Sequence, residues 1–131
     1  MLSLIAILLG GAPLSCSLFA SDTGDTAGCD RSPPLDYDTF GEGVMSKHCS
    51  GCHSSYLPEG QRYDAPLGVD LNTYQGVLDY AERVRERTVA QETMPPGGGL
   101  SADELSLIDE WLVCGVYRDL DRLAAEAEGD E

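Results

Sequence analysis

The chain has 131 residues and a formal net charge of −15, from 23 acidic and 8 basic side chains. An excess of that sign repels a polyphosphate, which excludes nucleic acid as a partner and favours a basic protein partner or a simply soluble surface. With an uncharged leader and polar ends set aside, about eighty to ninety residues remain, enough for one domain whose small core a bound apolar group would complete.

Residues 1–20 carry no charge and read as the apolar core of an export signal, although the usual positive start is absent. Gly10, Gly11 and Pro13 interrupt the run, which argues against the alternative of a membrane-spanning helix. Leu14-Ser15-Cys16 resembles the end of a lipoprotein box, with Pro13 where an aliphatic residue is usual. Cys16 is therefore the expected lipidation site, unless it leaves with the signal. An exported protein, periplasmic or membrane-anchored through an N-terminal lipid, is expected. Residues 21–35, rich in Asp, Thr, Gly, Ser and Pro, read as a flexible tether; from a lipidated Cys16 the roughly twenty residues to the first helix would reach about 25 Å.

The first helix is expected from about Asp38, a good N-cap, with Phe40, Val44 and Lys47 at helical intervals. It runs into Cys49-Ser50-Gly51-Cys52-His53. C-x-x-C-H is the spacing at which a c-type haem is attached: two thiols add to the two vinyl groups of one porphyrin, and the adjacent histidine coordinates the iron from one face. A thioredoxin-type dithiol or half of a zinc site shares the cysteine spacing. The first should follow a buried strand and the second needs another ligand pair, whereas Cys29 and Cys114 are isolated in sequence. Neither demands the adjacent His53.

A loop rich in Pro, Gly and Tyr follows His53 as far as Asn72 and should cover the proximal side, with the Pro58 carbonyl taking the free ring N–H of His53. Between Asn72 and Ala90, Val77, Leu78, Ala81, Val84 and Thr88 recur at helical spacing, and Asp79 and Arg83 are spaced for an i,i+4 pair. The segment Thr93-Met94-Pro95-Pro96-Gly97-Gly98-Gly99 cannot be helical, because proline lacks the donor and glycine favours turns. Met94 is the expected sixth iron ligand: Met1 lies in the leader, and Met45 and His48 are too close to Cys49 to cross a porphyrin. A thioether ligand raises the reduction potential and suits an electron carrier. The alternative is an ordinary loop methionine.

Ser101-Ala102-Asp103-Glu104 is a capping box, and Leu105, Ile108, Trp111 and Leu112 form the apolar stripe of a last helix that Gly115 is expected to stop. Residues 117–131 read as an acidic helical extension with a fraying end. No alternating strand pattern of useful length occurs, so the fold class is all-α with three main helices.

Taken in order, the glycine-containing helix, C-S-G-C-H, the middle helix, M-P-P and the L-I-D-E-W-L helix resemble a class I monohaem cytochrome c, an exported or lipid-anchored bacterial kind, over about residues 36–115. The resemblance implies a cytochrome c domain over residues 36–116 with one covalent haem c, held by Cys49, Cys52 and His53 and closed by Met94. It also implies that Gly41 lets the first and last helices cross against Trp111. Met45 stands where the family usually has an aromatic residue, four positions before the first cysteine.

With Cys49 and Cys52 assigned to haem and Cys16 to lipid, Cys29 and Cys114 remain, an even remainder that suggests a disulfide in an exported protein. They border the two elements that cross in this family. The bridge would add about 4–5 kcal/mol on the chain-entropy model, and two unpaired thiols are the alternative. The expected function is electron transfer between redox partner proteins, some of them basic, rather than enzymatic catalysis. Two other readings stand beside it: an open-site haem domain that binds a ligand, senses a gas or serves a larger oxidoreductase, and a non-haem exported thiol protein.

Overall fold

The computed structural model describes residues 28–129. The expected export signal, the lipidation of Cys16 and the first part of the tether lie outside the described residues. Every regular element is helical and no strand occurs among the described residues, so the fold is all-α. No helix among them is long and apolar enough to cross a membrane.

Asp36 opens the first helical segment, its Oδ1 accepting from the Thr39 N–H at 2.8 Å and from Thr39 Oγ1 at 2.6 Å. The N-cap is therefore Asp36, not the expected Asp38, because only Asp36 has a threonine three positions on that can satisfy it twice. Asp38 falls in the first turn instead. A wide turn over Tyr37–Gly41 leads into α1 (Glu42–His48).

Thr73 caps α2 (Tyr74–Arg85), which continues through a wide turn over Glu86–Ala90. Val77, Leu78, Ala81, Val84 and Thr88 are buried on one face, as the spacing requires. The expected pair between Asp79 and Arg83 does not form: Arg83 meets Glu86 at 3.0 Å and Asp79 accepts from Gln75 at 2.8 Å. The helix is kinked at Tyr80 (φ −121°, ψ 16°), between the two residues, and the kink breaks their i,i+4 register.

The capping box at the start of α3 (Ala102–Trp111) is complete: the Glu104 N–H donates to Ser101 Oγ at 3.2 Å and the Ser101 N–H to Glu104 Oε2 at 2.9 Å. Gly115 does not stop this helix. A wide turn over Leu112–Val116 carries it directly into α4 (Tyr117–Glu128). A Cβ at Gly115 would stand 3.0 Å from the Leu35 carbonyl oxygen and 3.2 Å from Trp111 Cδ1, so this glycine admits a crossing chain rather than a left-handed cap.

That crossing chain is the segment before Asp36. Cys29 is bonded to Cys114, with 5.5 Å between the Cα atoms, and the Arg31 guanidinium meets both Glu110 oxygens, at 2.5 and 2.9 Å. The described part of the expected tether is thus tied to the last helix. The start of α4 is also packed, since Tyr117 and Leu120 touch the core and the Tyr74 hydroxyl donates to Asp119 at 2.5 Å.

The core joins Met45 of α1 to Leu71, to the inner face of α2, and to Ile108, Trp111, Leu112 and Val116 of the last helix. At its centre Trp111 is fully enclosed. A Cβ on Gly41 would stand 2.7 Å from Trp111 Cε2, and the Phe40 ring meets the indole edge-on at 6.0 Å. The first and last helical segments therefore touch through Gly41 and Trp111. Met45, 1% exposed, fills the adjacent space with an unbranched side chain that adapts to an irregular gap.

Candidate functional site

Cys49 caps the C-terminus of α1, its N–H donating to the Met45 carbonyl at 2.9 Å. The Cys49 carbonyl then accepts from two N–H groups at once, Cys52 at 3.1 Å and His53 at 2.9 Å. A helix end leaves carbonyls without partners, and here the chain satisfies one by curling back over it. The curl gathers Cys49, Cys52 and His53 at one end of α1. All three are half-buried, and the two thiols are bonded neither to each other nor to any other cysteine. Burial, helped by the charge of Cys52, pushes the Cys49 thiol up to about 11.

His53 is held twice. Its carbonyl accepts from the Leu71 N–H at 2.8 Å, and its ring Nδ1 lies 3.1 Å from the Val69 carbonyl oxygen. A carbonyl only accepts, so Nδ1 carries the proton and Nε2 keeps its lone pair available for a metal. The expected acceptor was Pro58. Pro58 instead closes the short turn Glu59–Gln61, its carbonyl accepting from the Gln61 N–H at 2.9 Å, and the chain must travel to residue 69 before it returns to the ring.

What shapes the loop on the way is Arg62, 1% exposed in a segment without regular structure. Its five N–H groups are all engaged: with the carbonyls of Ala65 at 3.3 Å, Ser54 at 2.7 Å, Pro66 at 2.9 Å and Val69 at 2.9 Å, and with the Asp70 carboxylate at 2.7 Å. Tyr63 (φ 50°) and Asp64 (φ 67°) adopt left-handed conformations that turn the chain back around the guanidinium. At the loop base the Ser55 N–H donates to Asn72 Oδ1 at 2.9 Å.

Met94 lies in the expected irregular segment. Its N–H donates to the Arg87 carbonyl at 3.1 Å, an oxygen that also takes the Thr93 N–H at 2.8 Å and the Thr93 hydroxyl at 3.2 Å. One carbonyl at the end of the middle helix thus fixes where the loop begins. The Gly98 N–H closes a turn on Pro95 at 2.9 Å, with Gly98 and Gly99 at positive φ. Met94 is half-buried, and no hydrogen bond among the described residues links it to the 49–53 turn.

Lys47 and His48, at the C-terminal end of α1, reach Glu104 at 3.0 and 3.4 Å. Bonds from the Ser101 N–H first, and from Lys47, hold the Glu104 carboxyl down at about 2. Two thiols and an oriented imidazole with an available Nε2 form a donor set that suits a covalently held porphyrin. Among the described residues no three His, Cys, Asp or Glu side chains converge as a metal cluster.

Arg62, Val69 and Asp70 were not foreseen from the sequence. The only available signal was a solitary arginine in a loop otherwise without Lys or Arg, which does not indicate burial. Comparison with protein-family models, with curated proteins and with solved structures finds no match for this chain.

Proposed function

We propose that the chain is a monohaem c-type cytochrome with a cytochrome c-like fold, an electron-transfer protein and not an enzyme. The observation that carries this reading is the turn after α1, where two unbonded thiols are followed by an imidazole whose Nδ1 is committed to the Val69 carbonyl. In this reading Cys49 and Cys52 would hold the haem by thioether bonds, and His53 Nε2 and the Met94 sulfur would ligate its iron. A bound haem supplies one-electron oxidation and reduction at its iron. The contact of Gly41 with Trp111, which the family resemblance implied, supports the same assignment.

The dithiol alternative fares worse on physical grounds. A reactive thiol needs a lowered pKa, which the N-terminus of a helix or a neighbouring cation provides. Cys49 sits at a C-terminus, and burial moves it the other way, to about 11. The acidic surface, the Cys29–Cys114 bond and the leader agree with an exported protein, periplasmic or lipid-anchored at Cys16, that meets a basic redox partner.

Acid–acetone extraction of protein matured with haem-attachment machinery tests the assignment, and the haem colour should stay with the chain. Complete extraction of colour rejects it. In Met94→Ala the haem should remain attached, ferrous protein should bind CO readily and the potential should fall. An unchanged spectrum and potential in that variant would leave Met94 a loop residue and favour the open-site haem domain.

A further inference from the structure

The Val69 carbonyl oxygen is shared: His53 Nδ1 donates to it at 3.1 Å and Arg62 Nη2 at 2.9 Å. A histidine ligand whose Nδ1–H is strongly accepted gains anionic character and becomes a stronger donor to its metal. A carbonyl already engaged by a cation has less electron density to offer a second donor. The cation here is enclosed, and its partner Asp70 is partly open to solvent, with side-chain exposures of 1% and 27%. Counter-charge therefore offsets the guanidinium only in part within the loop.

We infer that Arg62 is a positioning residue for His53, which by sharing the Val69 carbonyl fixes the plane of the imidazole and limits its donor strength, and so raises the reduction potential of the bound iron. The inference rests on the haem reading proposed for this chain. Two effects of Arg62 act in the same direction. The shared carbonyl withdraws density from His53, and a buried positive charge one carbonyl away from the ligating imidazole disfavours the more positive, oxidised state.

The sharing also explains why so long a loop returns to the ring. Pro58, five residues after His53, closes a local turn, whereas Val69 lies on the far side of the guanidinium that gathers the carbonyls of Ser54, Ala65 and Pro66. One side chain thus determines both the path of the loop and the acceptor that the histidine meets.

The test uses full-length matured protein. Intact mass first establishes that haem is covalently present; its absence defeats the proposed function and is a result distinct from any shift in potential. Arg62→Met should then lower the potential by an amount equal to about a tenfold change in the ferrous-to-ferric equilibrium, roughly 59 mV for one electron. In the ferrous protein its His53 Nδ1–H proton resonance should move downfield, as the carbonyl accepts from His53 alone. Asp70→Asn keeps an acceptor oxygen for Arg62 but removes the counter-charge, so both readouts should move the opposite way. This second variant decides the matter if Arg62→Met does not fold. A merely structural arginine would lower stability without these paired, opposite shifts. Unmoved potentials in haem-loaded variants, or potentials that shift while the His53 resonance stays in place, would overturn the inference.

Discussion

The loop between His53 and Asn72 and the seam between the first and last helical segments are both closely held, by opposite means. In the loop a single enclosed guanidinium binds four carbonyls and a carboxylate, with no apolar side chain at its centre. In the seam Gly41 and Phe40 pack on Trp111, and Cys29 and Arg31 tie the entering chain to the same helix. The loop concentrates its cohesion in one residue, whereas the seam distributes it over several contacts of different kinds. Loss of the central group should therefore cost stability in one large step, while damage to the seam should accumulate by increments.

The largest effect is expected at Arg62. Arg62→Met takes a charged donor from four carbonyls and from the partly exposed Asp70, and it should cost about 3–5 kcal/mol, since several hydrogen bonds to a charged group, each worth about 1.5–3 kcal/mol, are lost together. Denaturant unfolding measures this, and a cost below about 1 kcal/mol would remove the contrast between the two regions.

Next in size is the covalent tie of the seam. Replacing Cys29 and Cys114 together by serine should destabilise the domain by about 2–5 kcal/mol while leaving the proposed haem-attachment turn competent, since Cys49 and Cys52 take no part in that bond. Thermal unfolding with and without reductant checks the first part, and haem content of the double variant checks the second.

A smaller loss is expected when the seam is overfilled. Gly41→Ala places a methyl group 2.7 Å from Trp111 Cε2, 2.9 Å from Cη2 and closer still to Cζ2, so the two helical segments must part. Overpacking of this kind costs about 1–3 kcal/mol, more than the fraction of a kcal/mol that alanine gains over glycine in a helix. A neutral or stabilising result would show that the indole moves freely.

The smallest effects belong to the link between α1 and α3. Ser101→Ala should cost about 1 kcal/mol through the lost cap. Glu104 has a folded pKa held down from 4.5 to about 2, chiefly by the Ser101 N–H. Because the folded value is depressed, the stabilisation it brings is complete above about pH 4.5 and disappears as the pH falls toward 2. The gap in melting temperature between the parent and Glu104→Gln should shrink over that window, whereas a constant gap would mean that the carboxylate charge contributes nothing.

Short-range features were legible in the residues alone. The capping box at Ser101, the buried stripe from Val77 to Thr88, the helical class and the close spacing of Cys49, Cys52 and His53 depend on neighbours within about two helical turns, and local periodicity encodes such relations. The pairing of Cys29 with Cys114 was reachable by elimination once the other cysteines had been assigned. Two local expectations failed for equally local reasons: Thr39 makes Asp36 rather than Asp38 the N-cap, and the kink at Tyr80 separates Asp79 from Arg83.

Tertiary structure alone decided the rest. Gly115 reads as a helix stop because glycine commonly ends helices, yet its missing Cβ serves a chain that arrives from Leu35, distant in sequence. Nothing in the sequence marks Arg62 as enclosed, because arginine is seldom buried, and only the convergence of four carbonyls makes its burial favourable. The acceptor for His53 is Val69 rather than Pro58 for the same reason: a backbone carbonyl carries no side-chain signature, and which one meets the ring depends on the path the loop takes around that guanidinium.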